Sequence, residues 1–291
     1  MRRHTRTAHR CGAALLLIAA GLSTWGCEEM VDPADTTDRV FTMYGHFNPT
    51  RNEQAVRVFE IENLLKVTRP EPIDARVYST DLSTGDRIEW DDAITRFADS
   101  SYGHVFHAPF TAEYGGTYKL EVARSDGRTA EAVATVPPET EAVVEAPDSL
   151  DFDLIGQAFW PQAPSLIYIR VEYLSNMGTF TVHYLPNSEI VDGGRRIEFR
   201  FRADTRPILQ AARLRDSPAY IRGVVFRAVV ASEDWVAPDG AFDADVLVEP
   251  GTFTNVTDGF GFVGAGYDTA KFWMPSDAIL RAAGFPIEPV Q

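Results

Sequence analysis

The sequence predicts an all-β fold with one or two short helices, and two observations carry that prediction. From Val40 onward, apolar and charged residues alternate with a period of two, as in 73–78 and 118–122. This alternation is typical of half-buried strands. Clusters of Ser, Asp and Gly, such as 83–86 and 125–127, separate these stretches and indicate hairpin turns.

Residues 39–138 form the first predicted domain. About seven short strands at this spacing end at Pro137 and Pro138, which is typical of an immunoglobulin-like or transthyretin-like sandwich. The cysteine pair that links the sheets of antibody domains is missing. The likeness to those sandwiches therefore concerns architecture alone.

The stretch 137–150 is rich in proline and acidic residues, which predicts a linker at 139–150, and 151–291 form a second β-rich domain. Its predicted strands are 166–173, 179–184, 196–203, 220–230 and 259–267. In 196–203 the alternation places Phe199 and Phe201 in a core, with Glu198 and Arg200 in solvent. Two short helices are predicted, 207–215 and 277–283, the second capped by Ser276 and ended by Gly284.

Residues 1–26 have the pattern of an export signal. Four arginines precede an apolar run at 12–22, which has the length of a signal core and is too short to span a bilayer. The residues before Cys27 resemble a bacterial lipobox through Gly26 and Cys27, although the family prefers other residue types than Thr24 and Trp25. The resemblance implies lipidation of Cys27, and the alternative is ordinary cleavage after 19–21.

The use of cysteine agrees with lipidation. Cys11 would leave with the signal, so Cys27 would be the one remaining cysteine, without a disulfide partner in an oxidising compartment. Removal of 1–26 would leave 265 residues and change the formal charge from −15 to −19, because four arginines are lost. This acidity argues against a nucleic-acid partner, and 27–38 is predicted to be an acidic tether.

Three groups of residues were weighed as chemical sites. His104 and His107 lie three apart, so on a strand they point to opposite faces and cannot share a metal ion. A run of acidic residues could hold calcium, although its spacing matches no EF-hand. That run contains Glu233, Asp234, Asp239, Asp243 and Asp245.

The glycines of 259–266 are spaced like a dinucleotide-binding loop, but no helix is predicted after them. They are interpreted as relieving crowding where a strand bends or another backbone comes close. Paired carboxylates for glycoside hydrolysis cannot be singled out among 42 acidic residues. We therefore predict no catalytic residue, no cofactor and no metal site.

Several segments resemble an uncharacterised family of Bacteroidetes-type outer-membrane lipoproteins. They are 40–48 after the tether, 115–122 with 135–138, and 256–265. The resemblance implies a protein encoded near TonB-dependent transporters, with an accessory role at the outer membrane. In such lipoproteins, acidic residues after the lipidated cysteine favour the outer face, and Glu28 and Glu29 stand there. Exposure of the protein at the cell surface and its exposure to the periplasm remain two alternatives.

The leading hypothesis is a non-enzymatic, lipid-anchored binding module that assists a transporter or a surface assembly. The alternative is an envelope hydrolase that acts on glycan or peptide through paired carboxylates. A purely structural or adhesive module is the third hypothesis. A pocket with converging carboxylates would favour the hydrolase, whereas an exposed apolar patch or a bare strand edge would favour binding.

Overall fold

The computed structural model of the chain describes residues 39–61, 72–97, 100, 102–184, 189–191, 193–235 and 254–287. The predicted signal, Cys27 and the tether lie outside these ranges. The described residues form sixteen strands and two short helices, which confirms the all-β prediction. Neither helix has the length and apolar character needed to cross a membrane.

The first nine strands belong to residues before 146. They are β1 (Phe41–Phe47), β2 (Gln54–Glu60), β3 (Arg76–Asp81), β4 (Arg87–Glu89), β5 (Asp91–Arg96), β6 (Tyr102–Ala108), β7 (Thr117–Ala123), β8 (Thr129–Thr135) and β9 (Val143–Glu145).

The remaining elements follow from Ile155 onward. They are β10 (Ile155–Trp160), β11 (Ser165–Ser175), β12 (Gly178–His183), β13 (Glu189–Val191), β14 (Gly194–Arg200), α1 (Phe201–Leu214), β15 (Ile221–Ala231), β16 (Phe260–Trp273) and α2 (Asp277–Ala283).

These strands form three sheets. The large sheet has eight strands in the order β12-β11-β15-β16-β1-β2-β6-β5. The N-terminal sheet has the order β4-β3-β7-β8, and the C-terminal sheet has the order β13-β14-β10-β9. All pairings are antiparallel except that of β1 with β16, which is parallel.

Strand β16 joins the two halves of the chain within the large sheet. Its first six residues pair with β1, from Phe260 opposite Thr42 to Ala265 opposite Phe47. Its last eight residues pair with β15, from Gly266 to Trp273. One strand of 14 residues therefore carries hydrogen bonds to the first described strand, β1, and to β15 of the C-terminal half.

Two hydrophobic cores lie between the large sheet and the two smaller ones. The first core contains Phe41 and Met43 of β1, Leu120 of β7 and Val263 of β16. The second contains Tyr173 of β11, Phe226 of β15 and Phe199 of β14, together with buried residues of both helices. The sandwich character predicted for the first half is thus present, and the second half also packs a smaller sheet against the large one.

Glycines let β16 approach its neighbours closely. Gly261 has a φ of 102°, and a Cβ placed there would collide with the carbonyl oxygen of Met43. A Cβ on Gly259 would lie 2.8 Å from the carbonyl oxygen of Phe41. The interpretation that these glycines relieve crowding is confirmed, and the strand continues to Trp273 with no helix after the glycines.

The prediction for 196–203 is right about the core and wrong about the strand. Phe199 and Phe201 are both fully buried. However, β14 ends at Arg200 and α1 begins at Phe201, six residues before the predicted helix start. One face of α1 is buried, and it contains Phe201, Thr205, Ile208 and Ala212. Burial of this face favours a helix that begins at Phe201.

The second predicted helix is confirmed with its capping residues. The hydroxyl of Ser276 accepts a hydrogen bond from the Ile279 N–H of α2. Gly284 ends the helix in the left-handed conformation, with a φ of 95°. Both termini therefore follow the local rules for N-caps and C-caps.

Part of the predicted linker is ordered against β16. Val143–Glu145 forms the edge strand β9, and the hydroxyl of Tyr267 accepts a hydrogen bond from the Thr140 N–H at 2.8 Å. The same hydroxyl donates to the Pro138 carbonyl, also at 2.8 Å. The division into domains 39–138 and 151–291 stays a prediction. Strands from both of these regions belong to the same large sheet.

Candidate functional site

Most of the site residues singled out from the sequence lie outside the described ranges or apart from one another. Cys27, Asp239, Asp243 and Asp245 are among the residues not described. Glu233 and Asp234 occupy an exposed turn after β15. Only two of the five acidic residues in the calcium hypothesis are therefore described, so the hypothesis stays untested.

The two histidines of β6 are separated as the strand geometry predicts. His104 is buried, and its Nδ1 lies 2.8 Å from the Asp92 carboxylate. His107 lies on the other face of β6, with Nδ1 3.7 Å from Glu53. Among the described residues, no group of three His, Cys, Asp or Glu side chains is arranged to hold a metal ion.

An aromatic cluster covers part of the large-sheet face that turns away from both cores. Tyr44, Phe59, Phe262 and Trp235 pack together there, and the His46 ring lies edge-on to Trp235. Burial raises the pKa of Tyr44, whose hydroxyl has no hydrogen-bond partner. Desolvation also lowers the pKa of His46, although much of that residue is exposed.

An open groove of about 730 Å³ lies between α1 and α2. The buried face of α1 packs against the second core. A neighbouring stripe of α1 side chains lines the groove. Residues 202, 206, 209 and 213 follow one another at helical spacing along this stripe. Three of the four are arginines.

Arg202 is held in place at the floor of the groove. Its Nη2 donates a 2.6 Å hydrogen bond to the carbonyl of Ala282 in α2. Its guanidinium also lies over the Phe152 ring, 4.9 Å from the ring centre. The Nε of Arg202 is buried and has no hydrogen-bond partner among the described residues.

Arg206 and Arg213 extend from the exposed side of α1. Neither side chain makes an ion pair or a hydrogen bond with any described residue. Asp216 is the one acidic residue among the described residues that line the groove. Three guanidinium groups and one carboxylate therefore give a local excess of positive charge in a chain of net charge −15.

The walls of the groove between the arginines are apolar. Leu209 and Ala212 of α1 face Ala283 and Pro286 beside the end of α2, and Ala219 closes the end after α1. Ala212, Ala219 and Ala283 are small, so they leave space between the two helices. A bound molecule could place apolar atoms here while its charged group meets the arginines.

The opposite side of α1 is fixed to the large sheet. The carboxylate of Asp204 accepts hydrogen bonds from the hydroxyls of Tyr173 and Tyr184, each at 2.7 Å. Burial raises the pKa of both tyrosines, and the neighbouring Asp204 charge raises them further. This network joins α1 to β11 and to the residue after β12, so the arginine stripe stands on a rigid support.

The side chains that line the groove have the chemistry of an anion-binding site. Guanidinium groups donate paired hydrogen bonds to carboxylate or phosphate oxygens and neither give up nor take a proton near neutral pH. Paired carboxylates would be needed for glycoside hydrolysis, and the described lining holds a single one. The chemistry of these side chains is recognition of an anion.

Sequence reasoning did not find this groove. The alternation in 196–203 also predicts Arg202 on the solvent face of a strand, because it continues past the true end of β14. The usable signal was the spacing of Arg202, Arg206 and Arg213 with Leu209, which puts all four on one helical stripe. That signal becomes visible once the helix begins at Phe201.

Neither the scan of protein-family models nor the search of curated proteins gives a match to this chain. The resemblance to outer-membrane lipoproteins therefore stays a prediction. The site must be judged on its own geometry.

Proposed function

We propose that this chain is a non-enzymatic, lipid-anchored protein of the cell envelope that binds an anionic ligand in the α1–α2 groove. The observation that supports this most is the set of three arginines that line the groove without a carboxylate partner among the described residues. In an acidic protein, unpaired guanidinium groups gathered around an apolar cleft favour recognition of an anion from outside the chain.

The ligand class follows from the two kinds of surface in the groove. The arginines select a carboxylate, phosphate or sulfate group, and the Leu209 and alanine surface adds apolar contact. Arg202 is already oriented by Ala282 and Phe152, so less side-chain entropy is lost when it binds. A small amphipathic anion fits this combination better than a purely inorganic ion.

Calorimetric titration tests the binding claim with three probes: hexyl phosphate, inorganic phosphate and 1-hexanol. We expect saturable binding of hexyl phosphate that is tighter than binding of either other probe. Replacing both exposed arginines (R206Q/R213Q) should weaken that binding about 2- to 30-fold, because an exposed charge contact contributes about 0.2–1 kcal/mol.

The matched control is R76Q, which removes one exposed arginine from β3, outside the groove. Its affinity for hexyl phosphate should stay that of the unchanged chain. Equal affinities of R206Q/R213Q and R76Q would show that the groove is not the binding site. High salt should weaken binding to the unchanged chain, since screening shortens the reach of the arginines to about 3 Å at 1 M.

The lipid anchor and the outer-membrane location rest on the N-terminal residues. We propose Cys27 as the lipidated residue, with more than one acyl chain for stable attachment. The intact mass of the mature N-terminus should show a diacylglyceryl cysteine, and Cys27→Ala should release the protein from membranes. A product that begins at Leu22 would contradict this.

The proposed partner is an outer-membrane transporter or another surface assembly. The segments quoted above support an accessory role beside a TonB-dependent transporter or another surface assembly only through their resemblance. Affinity capture from detergent-solubilised outer membranes, with the chain as bait, should enrich an outer-membrane transporter. Recovery of the bait without any envelope protein would contradict it.

A further inference from the structure

The outer edge of β12 is open among the described strands. It ends the large sheet, and it pairs only with β11. Its sequence, Gly-Thr-Phe-Thr-Val-His, contains no Asp, Glu, Lys, Arg or Pro. A sheet edge of this kind presents unpaired backbone donors and acceptors to another strand.

The other sheet edges are protected. At the far end of the large sheet, β5 carries Asp91, Asp92 and Arg96. The edges β4, β9 and β13 have only three residues each. On β8, Glu131 forms backbone hydrogen bonds in both directions with Thr257. Short, charged or covered edges are the usual defences against unwanted pairing, and the described residues give β12 none of them.

The backbone groups on the open edge can be identified. The Tyr184 N–H donates to the Ile169 carbonyl, so residue 184 faces β11. Antiparallel pairing alternates along a strand, so Val182 and Phe180 also direct their backbone groups toward β11. The backbone groups of Thr179, Thr181 and His183 therefore face outward.

We infer that β12 pairs with β12 of a second copy of this chain in antiparallel fashion, with Thr181 on the two-fold axis. In this register Thr181 of each copy lies opposite the other, and Thr179 lies opposite His183. All three outward residues of one copy then meet an outward residue of the other, which gives a complete hydrogen-bonded ladder.

The side chains agree with the same register. Phe180 and Val182 pack against the second core, so both lie on the core face of β12. With Thr181 on the axis, Phe180 of one copy lies opposite Val182 of the other, which is a favourable cross-strand pair. The one ionisable residue of β12, His183, meets a threonine rather than itself. A second copy is therefore complementary to this edge in three ways: its backbone groups point outward at the paired residues, its core faces lie on the same side, and no ionisable residue meets itself.

Cysteine cross-linking in the full chain tests the register. Under mild oxidation, T181C should form a covalent dimer well above the background of the unchanged chain, because directly opposite residues of such a pair have Cα atoms about 5.5 Å apart. A mixture of T179C and H183C chains should cross-link more than either variant alone. Equal yields from all combinations, or no yield above background, would overturn the pairing.

Sedimentation equilibrium supplies a measurement that does not depend on cysteine chemistry. T181K places two like charges opposite each other on the axis and should weaken dimerisation at least tenfold. T129K changes an exposed threonine at the start of β8 and should leave dimerisation unchanged. An unchanged chain that stays monomeric at all concentrations, or a dimer that T181K leaves intact, would overturn the inference.

Discussion

At the scale of single residues, Phe199 shows most clearly how the sequence pattern becomes packing. The ring is fully buried and lies 4.9 Å from Phe226 and 5.7 Å from Trp273, measured between ring centres. Phe199→Ala should lower the free energy of unfolding by about 3–5 kcal/mol, through lost burial and the cavity left behind.

The control for Phe199 is its exposed neighbour on the same strand. Glu198→Ala should change stability by no more than about 0.5 kcal/mol, since surface substitutions of this kind have little effect. Urea denaturation of both variants measures the difference. Losses of similar size from the two positions would contradict the assignment of the β14 faces.

Gly261 and Gly127 allow two effects of a glycine to be measured separately: its freedom to adopt a positive φ, and the space left by its missing Cβ. Both have a positive φ, 102° and 89°, but a Cβ has open space at Gly127 and collides with the Met43 backbone at Gly261. Gly127→Ala should cost about 1 kcal/mol from backbone strain alone. Gly261→Ala should cost about 1–3 kcal/mol more, because β1 and β16 must move apart. Equal losses in thermal denaturation would show that the close approach is not tight.

For single residues, the sequence predicted which side chains are buried, but it did not predict which distant side chains line the same groove. Alternation identified Phe199 and Phe201 as core residues, and the local capping rules identified Ser276 and Gly284. The groove arginines were not identified, because their meeting with Ala283 and Pro286 depends on how α1 packs against α2. Such packing joins residues more than 60 positions apart, and no local pattern encodes it.

At the scale of secondary-structure elements, the position of α1 depends on one polar network. Tyr184→Phe removes one of the two hydroxyls that donate to Asp204 and should cost about 1.5–3 kcal/mol, the usual loss for a hydrogen bond to a charged group. Tyr168→Phe is the control, because its side chain is 68% exposed. A loss at position 168 as large as that at position 184 in urea denaturation would contradict the role of the network.

The same network predicts how stability changes at alkaline pH. Burial raises the pKa of Tyr173 and Tyr184 above the ordinary value of 10. Their contribution is therefore complete below about pH 10 and is lost as the pH rises above that value. Tyr184→Phe should lose less stability than the unchanged chain over that range.

The start of α1 shows where element prediction fails. The alternation of 196–203 fits a strand as far as Ala203, and Pro207 suggested a helix start, since proline is favoured in a first helical turn. The structure places Pro207 inside α1. Helical burial of Phe201, Thr205 and Ile208 on one face determines the outcome. Phe201 belongs to both the alternating and the helical pattern, so the alternation alone places it on a strand.

At the scale of the whole molecule, β16 makes the two halves interdependent. Its residues Val263 and Ala265 belong to the first core, although they come from the C-terminal half of the chain. A protease site inserted between Ser149 and Leu150 should allow complete cleavage, because Leu150 is 91% exposed. The two fragments should still elute together in size-exclusion chromatography and separate only in denaturant.

Separation of the cleaved fragments without denaturant would instead support two independent domains. The β1–β16 pairing would then add little to stability. The sequence could not predict this pairing, because parallel neighbours more than 200 residues apart leave no mark on local periodicity. Only the likeness of 259–267 to a buried strand pointed toward it.

The measurement that tests the proposed function most directly is nuclear magnetic resonance of the arginine Nε–H groups during titration with hexyl phosphate. The Nε–H signals of Arg202, Arg206 and Arg213 should shift together and saturate at one ligand concentration, because all three side chains line the groove. The signal of Arg76 should stay in place. Shifts that do not saturate, or that are as large at Arg76 as at the three groove arginines, would contradict an anion-binding groove between α1 and α2.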